Sequence, residues 1–327
     1  MLKIAILDAY QDAVRGFPAF GKLAGHDVTV WNDHCRDTGT LARRLADTEA
    51  LLLIRERTPI TEALLARLPK LRLISQTGAV PHIDLDACSR HGVTVCARIA
   101  PGQPSYATAE LTWGLVLAAA RRIPQEMQSL RDGRWQSPSA LGWLLRGRTL
   151  GVFGHGRIGG VVAGYGRAFG MRVLVWGREA SRERARADGY EVADSAEALF
   201  EASDVLTVHL PLHDETRGIV SAALLARMKP TALFVNTSRA GLVAPGALEA
   251  ALAAGRPGSA ALDVFEDEPV TGTGHPLVAR DDVVATPHVG YVERQSLEGM
   301  FDILIDQILA FEAGTPANVL NPRAGVR

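Results

Sequence analysis

The sequence predicts an α/β protein of two domains, each built on a parallel sheet, and three observations carry that reading. At 327 residues the chain exceeds one ordinary core and is long enough for two. Short apolar, β-branched runs alternate with helix-period segments, first up to about residue 96 and again from Thr149. Between the two series, Pro101-Gly102 and Pro104 break the pattern as a linker does.

In the first series, strands are expected at Lys3–Leu7, Val28–Trp31, Leu51–Ile54, Leu71–Ser75 and Val93–Cys96. Helical periods at Thr40–Ala46, Thr61–Leu68 and Asp84–His91 lie between them, which implies parallel pairing by crossover. A helix at Tyr106–Arg121, stopped near Pro124, is apolar around much of its circumference, so it should be buried between layers or against a partner subunit. The second series places strands at Leu150–Phe153, Arg172–Trp176, Val205–His209, Ala232–Asn236, Ala260–Val264 and Val283–Ala285. Its helices include Ile158–Phe169, Ser195–Glu201, Ala222–Met228 and Pro245–Ala253. A last helix, Glu293–Ala313, ends at Gly314 with Pro316 beyond it.

Composition excludes several classes. With 47% hydrophobic and 22% charged residues the chain is globular, and a formal charge of -1 offers no field for nucleic acid or an anionic membrane. No apolar stretch is long enough to span a bilayer, and the N-terminus lacks the regions of a signal peptide. Cys35, Cys88 and Cys96 have neither zinc-site nor CxxC spacing, and their odd number argues against a disulfide framework, so a reducing cytoplasm is the expected compartment. No metal is expected: His209 and His213 have the separation of one helical face, but Pro211 between them rules out a regular helix.

The segment Thr149-Leu-Gly-Val-Phe-Gly-His-Gly-Arg-Ile-Gly159 puts Gly154, Gly156 and Gly159 in G-x-G-x-x-G register. In a chain with 32 glycines the register alone says little; its place between a strand and a helix, with a second strand following, makes it a dinucleotide-binding signature. Gly154 would permit the tight turn, Gly156 the approach of pyrophosphate, and Gly159 close packing of helix on strand, with the helix N-terminus facing the phosphates. At the end of the second strand, where NAD enzymes carry an acid for the ribose hydroxyls, this chain has Gly177 followed by Arg178. Loss of the carboxylate and gain of a guanidinium imply use of NADPH, the alternative being a solvated Arg in a chain where only four of 35 basic residues are Lys.

Three further strand ends carry candidate chemistry: Val235-Asn-Thr-Ser-Arg-Ala-Gly241, Ala261-Leu-Asp-Val-Phe-Glu-Asp-Glu-Pro269 and Thr286-Pro-His-Val-Gly290. Hydride reduction of a 2-oxo acid needs a cation for the carboxylate, an acid for the developing alkoxide, and a partner that keeps that acid protonated. The bidentate fork of Arg239 suits the first role. An imidazole titrates near working pH, which suits His288 to the second. Glu268 suits the third, and Asp263 is placed to receive the nicotinamide carboxamide. Each residue alone has an ordinary reading, as a loop Arg, a solvated acid or a strand-end histidine; their joint occurrence downstream of a phosphate loop is what singles them out.

With these segments in hand, the chain resembles the D-isomer-specific 2-hydroxyacid dehydrogenase family, which includes glyoxylate/hydroxypyruvate reductases and phosphoglycerate dehydrogenases. The resemblance runs from Gly78-Ala-Val-Pro-His-Ile-Asp84 through Ala100-Pro-Gly102, Ala109-Glu110, the phosphate loop, His209-Leu-Pro-Leu212 and the three strand ends. It implies a Rossmann doubly wound sheet for the dinucleotide at 102–291 and a flavodoxin-like α/β substrate domain made of 1–101 and 292–327. By the same resemblance Arg239, Glu268 and His288 are the catalytic residues. Arg157 and Ile158 would meet the pyrophosphate, and Leu210, Pro211, Thr237, Asp263 and Gly290 would line the cofactor path. Backbone N–H groups of Thr77, Gly78, Ala79 and Val80 would hold the substrate carboxylate. R-configured product is implied, as are homodimers joined through the helix after Pro104 and the segment to Arg148.

The chain departs from the family at several positions. Gly177 replaces the usual acid, and Ala240 stands where many members have Gly. The loop Gln76–Val80 has fewer glycines than the common versions, so substrate identity does not carry over. Tyr291 stands where a small residue is usual; it narrows the pocket, donates a hydrogen bond to substrate, or packs against the helix. A reading of another class, a nucleotide-sensing corepressor-type binding protein, finds no partner-binding motif. A formate oxidiser, which by resemblance pairs its histidine with glutamine, is disfavoured by Glu268.

Overall fold

Five short strands, β1 (Lys3–Ile6), β2 (Asp27–Val30), β3 (Ala50–Leu52), β4 (Leu73–Thr77) and β5 (Thr94–Arg98), pair in parallel in the order β2-β1-β3-β4-β5. They belong to the computed structural model of the chain, which describes residues 1–98, 106–136 and 141–321. The chain divides into two compact units, Met1–Pro101 with Glu293–Arg327, and Gly102–Val292. The linker prolines Pro101 and Pro104 lie outside the described residues.

In the first unit, strands β1, β3 and β4 are buried on both faces along nearly their whole length, as parallel strands covered by helices must be. Helices α1 (Thr38–Arg44), α2 (Glu62–Leu65) and α3 (Leu85–Arg90) follow β2, β3 and β4, and each starts at a side-chain cap: Asp37, Thr61 and Asp84 accept N–H groups of the first turn. Leu41, Leu64, Leu65 and Ala87 from these helices join Leu51, Ile74 and Val95 in one core. Cys88 and Cys96 are buried within this unit, and burial pushes their thiols up to about 12 and about 11, so both stay neutral.

The second unit begins with α4 (Tyr106–Ala120) and α5 (Ile123–Arg131). Here the structure corrects the sequence reading, in which Pro124 only stops a helix. Arg122, at φ 52°, breaks the chain direction, and Pro124 then sits in the first turn of a new helix, where its missing N–H costs nothing. Strands β6 (Thr149–Phe153), β7 (Arg172–Trp176), β8 (Glu191–Val192), β9 (Val205–Val208), β10 (Leu233–Asn236), β11 (Ser259–Leu262) and β12 (Val283–Ala285) form a parallel sheet ordered β12-β11-β10-β9-β6-β7-β8. The order reverses between β6 and β9, so this is the doubly wound sheet expected, with its switch point beside the phosphate loop.

Helices α6 (Arg157–Ala168), α7 (Glu179–Ala187), α8 (Ala196–Ala202), α9 (Ala222–Arg227) and α10 (Ala247–Ala253) cover this sheet, and α4 packs across β10, β11 and β12 and against α6. Trp113 of α4 meets Phe169 edge-on, 5.0 Å between ring centres. The chain then returns to the first unit as α11 (Arg294–Glu312), capped by the Glu293 carboxylate on the N–H groups of Gln295 and Ser296. Gln307 of α11 donates to Ser75 Oγ (2.8 Å) and to the Gln76 carbonyl (3.1 Å), fixing the helix to β4. Among the described residues no helix is long and apolar enough to cross a membrane, and no group of three His, Cys, Asp or Glu side chains is placed to hold a metal ion.

Candidate active site

Six loops of the second unit leave the same edge of the sheet, the carboxyl ends of β6, β7, β9, β10, β11 and β12, and every candidate residue of that unit lies on one of them. The loop after β6 shows why three glycines stand in register. Gly154 has φ 105°, and a Cβ there would come within 2.8 Å of the His209 carbonyl. A Cβ at Gly159 would collide with the Gly154 carbonyl at 2.0 Å, so the helix approaches the strand as closely as it does only without a side chain. At Gly156 an added Cβ meets nothing within 4 Å. Gly156 is also the N-cap of α6, with no side chain bonded to the first-turn N–H groups, so these donors and the dipole end face open space of the kind a pyrophosphate occupies. Arg157 is exposed at the first position of α6 and Ile158 is partly buried.

After β7 stand Gly177, buried, and Arg178, exposed at the N-cap of α7. After β9 come His209, Leu210 and Pro211. The His209 ring meets Thr207 Oγ1 at 2.9 Å, and burial lowers its pKa to about 3. The unfolded chain takes up this proton near the ordinary histidine value of about 6.5, so stability rises with pH across the window from about 3 to about 6.5. The loss of urea resistance between pH 7 and pH 4 is therefore expected to be smaller in His209→Gln than in the unmodified protein; equal losses would contradict the assignment.

The bend after β10 is tied in several places. Asn236 accepts Ser238 N–H through Oδ1 and donates Nδ2 to the Arg239 carbonyl, both at 3.0 Å. Ser238 Oγ donates to the Leu210 carbonyl (2.7 Å), and Arg239 Nη1 to the Ser238 carbonyl (2.8 Å). Thr237 Oγ1 lies 2.7 Å from Thr112 Oγ1 on α4.

The ends of β11 and β12 form one assembly around Asp263, whose side chain is fully buried. One carboxylate oxygen accepts Thr286 Oγ1 (2.6 Å) and Val289 N–H (2.8 Å), and the other accepts Gly290 N–H (2.8 Å). Burial raises its pKa, and these three donors act in the opposite sense. Expected to receive the nicotinamide carboxamide, Asp263 thus spends its oxygens largely on the loop that carries His288. That loop needs such an anchor because His288 itself has φ 52°, a left-handed conformation unusual for a residue with a side chain. Glu268 Oε2 lies 2.6 Å from His288 Nδ1, while Glu268 Oε1 accepts Phe265 N–H at 2.8 Å. The carboxylate is thereby held in one orientation, and it leaves Nε2 as the imidazole nitrogen that faces outward chemistry. Arg239 stands at the end of β10, two strands along the same edge from His288. Tyr291 packs its ring edge-on to His288 at 6.1 Å between centres.

Two residues that the sequence reading took only as part of an apolar helix also belong to this edge. Thr108 Oγ1 donates to the Gly290 carbonyl (2.9 Å), and Thr112 Oγ1 donates to the Thr108 carbonyl (2.7 Å) besides meeting Thr237. In the first unit, the loop after β4 turns at Gly78, φ 82°. The Gly78 N–H is given to the Arg98 carbonyl (3.0 Å), so of the four donors expected for a carboxylate this one is already used.

Comparison with known proteins places these features in a family. Residues 113–290 match the family described as D-isomer specific 2-hydroxyacid dehydrogenase, NAD binding domain. The glyoxylate reductase of Aeropyrum pernix is 39% identical over 307 residues, 90% of each chain. The D-3-phosphoglycerate dehydrogenase of Methanocaldococcus jannaschii is 36% identical over 98% of this chain, which spans only 60% of that longer relative. Among solved structures, the phosphoglycerate oxidoreductase of Vibrio cholerae O395 superposes with a TM-score of 0.92 at 50% identity, covering 96% of this chain and 100% of that one.

Proposed function

Since this chain belongs to the D-isomer specific 2-hydroxyacid dehydrogenase family, an oxidoreductase family acting on CH–OH donors, we propose that it reduces a small 2-oxo acid to the R-2-hydroxy acid with NADPH in preference to NADH. The observation that carries the proposal is the His288–Glu268 pair, 2.6 Å apart with the carboxylate pinned by Phe265 N–H. When bound, the nicotinamide supplies the hydride. His288 Nε2 delivers the proton to the alkoxide oxygen, Glu268 stabilises the imidazolium that serves as donor, and Arg239 takes the substrate carboxylate in its fork. The Gly154–Gly159 turn, Arg157 and Ile158 hold the pyrophosphate. Leu210, Pro211, Thr237 and Gly290 line the remaining path of the cofactor.

The relatives named glyoxylate reductase and phosphoglycerate dehydrogenase suggest glyoxylate, hydroxypyruvate and larger analogues as substrates to test. Cofactor oxidation across a panel of 2-oxo acids, run with both cofactors, tests the proposal. Turnover with at least one acid is expected, with kcat/KM roughly tenfold or more higher for NADPH than for NADH, the worth of one charge-assisted contact. A preference for NADH would refute the cofactor choice, and cofactor binding without turnover would favour a sensing role.

We further propose a cytoplasmic homodimer. Ile123, Met127 and Leu130 lie on one face of α5 and are exposed, as are Trp135, Leu141 and Leu144 in the stretch before β6. An apolar surface of that kind marks an interaction site. Light scattering should give twice the chain mass.

A further inference from the structure

At the end of β7, the space beside Gly177 belongs to Ser181 of α7. A Cβ added at Gly177 would lie 3.0 Å from Ser181 Oγ and 3.2 Å from Ser181 Cβ. Gly177 is outside the left-handed region, so its backbone accepts any residue, and it is Ser181 that crowds a side chain at this position. Ser181 is not at liberty to turn away. It is buried, and its Oγ accepts the N–H of His155 at 2.6 Å.

His155 is the middle residue of Gly154-His-Gly156, and α7 and its C-terminal end hold its main-chain N–H, its carbonyl and one ring nitrogen. Its carbonyl receives Arg184 Nε at 3.2 Å and Nη2 at 3.0 Å, and its ring Nε2 lies 2.7 Å from Asp188 Oδ2. Rotating Ser181 would leave the His155 N–H buried without an acceptor. The phosphate turn and the first turn of α7 are therefore one mechanical piece. Arg178 stands at the N-cap of that turn; its carbonyl accepts Ser181 N–H (2.8 Å), while its exposed guanidinium has no hydrogen bond or ion pair among the described residues, and Arg182 is stacked over Trp176 (4.5 Å) and paired with Glu179.

We propose that Ser181, locked to the His155 N–H, is a specificity-determining residue of the dinucleotide site: it excludes a carboxylate from position 177 and sets the α7 N-terminus for a cofactor with a phosphate on its adenosine ribose. The proposal rests on the NADPH reading above. It adds that the preference is not a one-residue property. An aspartate Cβ at 177 needs Ser181 to give by a few tenths of an ångström, which its bond to the His155 N–H opposes, so the usual acid is seated poorly for ribose hydroxyls in the background of this chain.

Four proteins decide it: the unmodified chain, Gly177→Asp, Ser181→Ala and the double variant. Two measurements are made on each, the Tm of the protein without cofactor and calorimetric Kd values for NADPH and NADH. Gly177→Asp is expected to lower Tm by roughly 2–8 °C, the usual cost of overpacking, and to weaken NADPH about tenfold or more with less than about threefold gain for NADH. In the double variant Tm should lie above that of Gly177→Asp, and NADH should bind about tenfold or more tighter than to that single variant, as a freed carboxylate–ribose contact would give. The inference is overturned if Gly177→Asp keeps the original Tm and binds NADH as tightly as the double variant, or if the two substitutions act additively on Tm. Tighter binding of NADH than NADPH by the unmodified chain would sink the cofactor reading alone; the non-additivity of Tm would still decide whether Ser181 excludes the acid.

Discussion

Replacing His288 with Ala is expected to lower kcat for 2-oxo acid reduction by about 10²–10⁴-fold, the usual worth of a positioned general acid, with little change in KM. The fold around residue 288 should survive, because the loop is held by Asp263 through Thr286 Oγ1 and the N–H groups of Val289 and Gly290, none of which involves the ring. The left-handed backbone at 288 costs Ala some stability, and His288→Asn provides the control, since Asn tolerates that conformation. Both variants should lose kcat alike if proton delivery is the role. Steady-state kinetics on the acid that turns over fastest checks it; unchanged kcat in both would remove His288 from the chemistry.

The second large effect is expected at Arg239. Arg239→Ala should lower kcat/KM by roughly 30- to 4,000-fold, corresponding to the loss of about 2–5 kcal/mol when one partner of a charged, hydrogen-bonded pair is removed. Most of it should appear in KM, because a carboxylate anchor binds ground state and transition state alike, with a smaller part in kcat from polarising the carbonyl. Arg239→Lys should recover little, since an ammonium cannot reproduce the planar fork. The bend itself is braced by Asn236 and by Ser238 on the Leu210 carbonyl, so Tm should move little in either variant. An alanine variant with unchanged KM would contradict the anchor role.

Much of the architecture was legible because parallel strands covered on both faces appear as uninterrupted apolar runs, as in Leu150–Phe153 and Leu233–Val235. The strand ends could be read too, since close backbone approach requires glycine at 154 and 159, and with Gly156 these leave a register between strand and helix. The parts that escaped lack a periodic signal. Helix α7, residues Glu179–Ala187, alternates Glu, Arg and Ala with only Ser181 and Ala185 buried, and it is supported by Glu179 pairing with Arg182 and Arg186. Strand β8 is two residues long at the sheet edge. Helix α5 restarts after a single left-handed residue, Arg122, for which no composition rule prepares. Hydroxyl pins such as Thr108, Thr112 and Ser181 act through partners up to 182 residues away, and a hydroxyl in a helix looks the same in sequence whether it is pinned or idle. The inward turn of the His155 ring is of the same kind: the register G-H-G tells nothing of Asp188 waiting 2.7 Å from its Nε2.

Isotope tracing measures hydride transfer to a 2-oxo acid directly. With NADPH deuterated at the transferable position and the best-turned-over acid, the account predicts one deuterium at C2 of an R-configured hydroxy acid for each cofactor oxidised, at a rate that collapses in His288→Asn. Product of S configuration, deuterium lost to water, or oxidation uncoupled from hydroxy-acid formation would contradict it.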